Sequence, residues 1–123
     1  MSELRATGIT FGYSHRPEIL RNAALTLRTG ETAVLLGSNA SGKTTLLGVL
    51  AGLIIPRSGT VEIDGVSVLQ QRQRVGILFQ NPDHQMIAPT VEEEIALGLE
   101  LRGARRTEMR SEVDDLLRRF QIW

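Results

Sequence analysis

The chain has 123 residues, enough for one domain with a real hydrophobic core, and its 41% hydrophobic and 23% charged composition is that of an ordinary globular protein. Fourteen basic and fourteen acidic side chains cancel, so no overall field attracts a nucleic-acid backbone or an anionic surface, and nucleic acid is not an expected partner. With no Cys there is neither a disulfide framework nor a thiolate metal site. The longest apolar run, Leu46 to Ile55, is too short to cross a bilayer.

Two β-rich stretches, Leu4 to Phe11 and Ala23 to Arg28, are separated by a polar segment containing Pro17 and read as an antiparallel layer. Thr29-Gly30-Glu31 then turns the chain. The short apolar run Thr32 to Leu36, bounded by glycines, predicts a strand buried on both faces in a parallel sheet. A helix is expected from Lys43, ending near Gly52.

Further along, Asp64-Gly65 between Thr60 to Ile63 and Val66 to Leu69 is a strong hairpin signal. Arg74 to Phe79 is a further strand candidate, followed by a polar loop from Gln80 to Gln85 in which Pro82 excludes a regular ladder. Thr90-Val91-Glu92-Glu93 matches a capping box ahead of a helix with Val91, Ile95 and Leu99 on one face. Met109, Val113, Leu116, Leu117 and Phe120 predict a last helix beyond Gly103.

The segment Gly37-Ser38-Asn39-Ala40-Ser41-Gly42-Lys43-Thr44 satisfies the phosphate-loop (Walker A) pattern G-x-x-x-x-G-K-[ST], and it stands between an expected strand and an expected helix, where the mechanism needs it. Glycines let consecutive N–H groups and the helix start converge on a polyphosphate. The Lys43 ammonium can reach the β and γ phosphates, and the Thr44 hydroxyl can hold magnesium. Lys43 is also the only Lys among fourteen basic residues, a compact point charge in a chain that uses Arg everywhere else. A glycine-rich turn that binds nothing is the bland alternative.

Beyond the loop, the order of Phe11-Gly12-Tyr13, G-S-N-A-S-G-K-T-T-L, the Asp64-Gly65 hairpin and Phe79-Gln80-Asn81-Pro82-Asp83 resembles the ATP-binding subunits of ABC transporters along essentially the whole chain. The stretches from Phe79 to Gln85 and from Ala88 to Ile95 look most like the energy-coupling-factor type, importers of cobalt, nickel and vitamins. The resemblance implies an α/β, P-loop NTPase-like ABC ATPase fold, with an N-terminal antiparallel β layer and a partial sheet carrying the loop helix. It implies ATP and Mg²⁺ as cofactors, held by Tyr13 on the adenine and by Gly37, Ser38, Asn39, Ala40, Ser41, Gly42, Lys43, Thr44 and Thr45. Thr44 and Gln80 would serve the metal. Gln80 would also orient the attacking water and relay nucleotide state.

By the same resemblance, the segment Asp83 to Leu99 would face a transmembrane subunit, a second ATP-binding subunit would complete the site, and the protein would sit on the cytoplasmic face of the membrane through its partner. The family's signature motif, its Asp-Glu-ended Walker B strand and its switch histidine do not occur in the chain. Asp83 lies too far past the apolar run to be the magnesium carboxylate, and His15 and His84 read as loop residues. Residues 1–123 are therefore expected to be the N-terminal portion of one nucleotide-binding domain, truncated before the signature. Two other readings remain: an ATP-binding module that does not hydrolyse, and a small P-loop kinase or GTPase, whose magnesium Asp and base-recognition motifs are not found.

Overall fold

A computed structural model describes residues 1–122 apart from Pro82 and His84, and leaves the side chain of Arg16 undescribed. The chain divides into two compact units, Met1–Gly76 and Ile77–Trp123. In the first unit, strands β1 (Glu3–Tyr13), β2 (Arg16–Arg28), β3 (Ser58–Ile63) and β4 (Val66–Ser67) form an antiparallel sheet in the order β2-β1-β3-β4. Helix α1 (Lys43–Leu50) belongs to the same unit, as do two 3₁₀ turns at Val68–Gln70 and Arg72–Arg74.

Side-chain alternation explains the sheet. Along β2, Ala23, Leu25 and Leu27 are half-buried while Ala24, Thr26 and Arg28 are exposed, the period of two expected of a strand with one face on a core. In β1 the register shifts between Ala6 and Ile9, so both of these residues point into the core across a bulge. The core gathers Ala6, Ile9 and Leu20 with Val61 and Ile63 of β3, Val49 and Leu50 of α1, and Val68. Both expected first strands are longer than the sequence suggests. Pro17, read as part of a separating segment, lies inside β2, and it is tolerated because β2 is an edge strand.

The Asp64-Gly65 hairpin forms as expected, with φ of 52° and 78° at the two turn residues, the left-handed pair of a type I′ turn. Side chains lock it. Gln71 donates to the carbonyls of Ile63 and Val66 at 2.7 Å each, and its own carbonyl accepts from Arg74 at 3.0 Å. Asp64 accepts from the Glu3 N–H at 2.8 Å and pairs with Arg74 at 3.0 Å. Beyond Ser67 the chain leaves the ladder for a 3₁₀ turn, so β4 is shorter than the sequence suggests.

Two expected strands do not form. Neither Thr32 to Leu36 nor Arg74 to Phe79 joins a ladder among the described residues, and Val34, Leu36 and Leu78 are 78%, 85% and 86% exposed rather than buried. A parallel-sheet strand exists only through its neighbours, and an apolar run supplies the side chains without supplying the partners.

The second unit holds α2 (Val91–Leu101) and α3 (Arg106–Arg119), which pack together with Leu99 and Val113 buried. Thr90 caps α2 as the sequence predicts, accepting from the Glu93 N–H at 3.2 Å and donating to the Glu93 carboxylate at 2.9 Å. Glu94 reaches back to accept from the N–H groups of Ile87 and Ala88 at 2.9 and 2.6 Å, fixing the approach to the helix.

The hydrogen bond from the Glu3 N–H, followed by the bond from Arg74, holds the Asp64 carboxyl below its ordinary value of 3.8. A depressed folded value contributes stability that is present above pH 3.8 and is lost as pH falls through the folded value. Asp64→Asn keeps a residue suited to the turn and removes the charge. The variant should melt below the wild type at neutral pH, and the gap should close as pH drops below 3.8, as followed by thermal unfolding across pH.

Candidate functional site

The loop from Gly37 to Thr44 leads directly into α1, and its shape follows from a few local contacts. Ala40 and Gly42 take left-handed φ of 63° and 101°, and the Ser41 N–H reaches the Ser38 carbonyl at 3.2 Å. Lys43 folds its ammonium back over the loop, donating to the carbonyls of Gly37 and Ser38 at 2.6 Å each and to Ser41 Oγ at 3.3 Å. A side chain at position 37 would meet Ser41 Oγ at 2.7 Å and approach the Lys43 ammonium to 3.7 Å, so the missing Cβ leaves room for this closure.

The N-terminus of α1 is left open to a ligand. Gly42 is its N-cap, no side chain caps it, and its first turn holds no acidic residue. The leading N–H groups of a helix have no intrahelical acceptor, and together with the helix dipole they favour an anion. Lys43 adds a positive charge at the same place, and Thr44, an exposed residue, brings a hydroxyl one position on. Uncapped amides, an ammonium and a hydroxyl form the donor set that a magnesium-bound polyphosphate requires.

The β1–β2 hairpin stands against this loop. A Cβ on Gly42 would lie 2.6 Å from Ile19 Cγ2 of β2, so the loop rests on the hairpin through a glycine. Tyr13, at the end of β1, is 46% exposed, sets its ring edge-on to Phe11 with centroids 5.0 Å apart, and shares a 3.2 Å hydrogen bond with Thr45. Thr45 is buried, so its hydroxyl serves Tyr13 rather than standing free beside Thr44.

In the second unit, Gln80 is exposed and follows a segment braced by one side chain. Gln85 accepts from the Phe79 N–H at 3.1 Å and donates to the Ile77 carbonyl at 2.8 Å, substituting for a strand neighbour. The Asp83 N–H bonds Asn81 Oδ1 at 3.1 Å, which keeps Asp83 in a local turn. Sequence reasoning missed Gln85 as a brace, since a lone amide carries no periodic signal. His15 lies exposed in the turn between β1 and β2, as expected, whereas the reading of His84 falls outside the described residues.

The profile of the family described as ABC transporter matches residues 20–123. The chain belongs to the ABC transporter family. Its relatives include the energy-coupling factor transporter ATP-binding protein EcfA1 of Mycoplasma pneumoniae, 39% identical over 120 residues that span 94% of this chain and 43% of that protein. The corresponding EcfA of Syntrophomonas wolfei is 46% identical over 105 residues, 80% of this chain and 38% of that one. Among solved structures, cbiO1 of Clostridium perfringens, part of the ABC transporter complex cbiONQ, matches with a TM-score of 0.78 and 28% identity over 97% of this chain and 50% of its own. This family member thus has the α/β fold of ABC ATPases, and it spans less than half the length of those two curated relatives.

Gly42→Ala would force a Cβ into a left-handed backbone and against Ile19. Strain of this kind costs about 1–3 kcal/mol, so the melting temperature should fall and nucleotide affinity should fall with it. Differential scanning fluorimetry with and without nucleotide checks both.

Proposed function

We propose that this chain is the ATP-binding portion of a transport ATPase of the energy-coupling-factor type, in which ATP binding and hydrolysis drive import of a metal ion or vitamin. The observation that carries the reading is the Lys43 ammonium held over an uncapped helix start at the only phosphate-loop motif in the chain. Main-chain N–H groups from Ser38 to Thr44 would hold the phosphates, Lys43 would neutralise the β and γ groups, and Thr44 would hold magnesium. Bound magnesium supplies charge neutralisation on the transferring phosphoryl group. Tyr13 would stack on the adenine, and its partly exposed ring supports that assignment. Residues 1–123 would then be the N-terminal portion of one nucleotide-binding domain.

We assign Gln80 the relay of nucleotide state on its own setting, an exposed amide directly after the stretch that Gln85 braces. For the segment Asp83 to Leu99 we propose contact with a transmembrane subunit. Support comes from an apolar groove of about 320 Å³ in the second unit, lined by Met86, Val91, Ile95, Leu116, Phe120 and Ile122. No described helix is long and apolar enough to cross a membrane, so a place at the cytoplasmic face would depend on that partner. A second ATP-binding subunit would complete the catalytic site.

Calorimetric titration of Mg-ATP into the chain, with turnover assayed on the same sample, tests the reading. We expect weak binding that Lys43→Ala reduces at least about tenfold, a loss of about 1.4 kcal/mol, because an ammonium at the phosphates is removed. Steady hydrolysis is not expected, since the sequence lacks the Asp-Glu strand end that supplies the second carboxylate on magnesium and the catalytic Glu. Equal affinity in both proteins would contradict the assignment.

A further inference from the structure

Thr45 follows the loop directly, which makes a contact with phosphate the simple expectation for its hydroxyl. Its geometry points elsewhere. The residue is 7% exposed, and its Oγ1 lies 3.2 Å from the Tyr13 hydroxyl, 32 positions away in sequence. Tyr13 is thereby held twice, at its hydroxyl by the first turn of α1 and at its ring by the edge-on contact with Phe11.

The backbone that carries Tyr13 is fixed as well. Arg57 donates to the Gly12 carbonyl at 3.2 Å and to the Pro17 carbonyl at 2.8 Å, one on each strand of the β1–β2 hairpin, and its own N–H bonds the Thr10 carbonyl at 2.9 Å. Gly42 rests on Ile19 of the same hairpin. The aromatic ring and the phosphate loop are therefore joined at two points, one polar and one apolar, within a single compact unit.

We propose that Thr45 is a positioning residue for the base end of the nucleotide. Its hydrogen bond sets the Tyr13 ring at a fixed place relative to the phosphate loop, with Arg57 holding the hairpin that bears the ring. This rests on the reading in which Tyr13 takes the base and the loop takes the phosphates. A ring fixed before binding loses little freedom on stacking, so the bond raises affinity for a nucleoside triphosphate without touching the phosphates. The ligand feature that Thr45 serves is an aromatic base, and a bare polyphosphate would not sense its loss.

The test compares Mg-ATP with magnesium and inorganic tripolyphosphate, titrated into the whole chain and into Tyr13→Phe, Thr45→Val and Thr45→Ser. Thr45→Val preserves shape and β-branching, and a thermal melt confirms folding. We expect Thr45→Val and Tyr13→Phe each to weaken ATP binding about three- to tenfold, the range of one lost hydrogen bond, with tripolyphosphate binding within about twofold of the wild type. Thr45→Ser should restore ATP affinity, and the double variant should be no worse than either single one.

A second readout needs no nucleotide. Tyr13 is the only tyrosine, so its ¹³Cζ resonance in the labelled chain should move in Thr45→Val and return in Thr45→Ser. Equal losses for ATP and tripolyphosphate in Thr45→Val would overturn the proposal and return Thr45 to direct phosphate contact. An unmoved resonance with unchanged ATP affinity would overturn it by showing no such bond. A wild-type chain that binds tripolyphosphate as tightly as ATP would remove the base-stacking role and this proposal with it. One that binds neither ligand would overturn the proposed function itself.

Discussion

The Lys43 ammonium, drawn to 2.6 Å from the carbonyls of Gly37 and Ser38, is the constraint around which the first unit is arranged. Ala40 and Gly42 adopt left-handed conformations between those carbonyls and the helix, and Lys43 follows as the first residue of α1. The two carbonyls keep the ammonium close to the helix start, where the dipole and the uncapped amides already favour an anion. The side chain that closes the loop thus also places a positive charge at the helix start.

The antiparallel sheet gives that loop its support. Burial of Ile9, Leu20, Val49, Leu50, Val61 and Ile63 in one core holds α1 against the strands, and the contact of Gly42 with Ile19 carries the sheet's rigidity to the loop. Side chains that bond backbone fix the irregular parts. Gln71 and Arg74 do this for the β3–β4 hairpin, Arg57 for the β1–β2 hairpin, and in the second unit Gln85 and Glu94 do it for the stretches before Gln80 and α2. Gln85 in particular takes the place of a ladder partner for Ile77 and Phe79, which join no ladder among the described residues.

Local chemistry made part of this legible in the sequence. Asp64-Gly65, the Thr90 to Glu93 capping box and the helix start at Lys43 each need only a few consecutive residues, and each forms where it was expected. Longer-range features were less accessible. Thr32 to Leu36 has the composition of a buried strand, yet strand formation depends on a ladder partner that no local pattern specifies. Pro17 reads as a break because the sequence does not say that β2 lies at an edge. The Tyr13–Thr45 bond spans 32 positions, and nothing in either neighbourhood announces it. Motif residues named the candidate site, while the bonds around it came only with the fold.

Electron density for the chain crystallised with magnesium and a non-hydrolysable ATP analogue tests the central claim most directly. The account predicts phosphate oxygens within hydrogen-bond distance of the Lys43 ammonium and of the main-chain N–H groups at the start of α1. An empty loop with the analogue bound elsewhere, or a protein side chain filling that space, would contradict it.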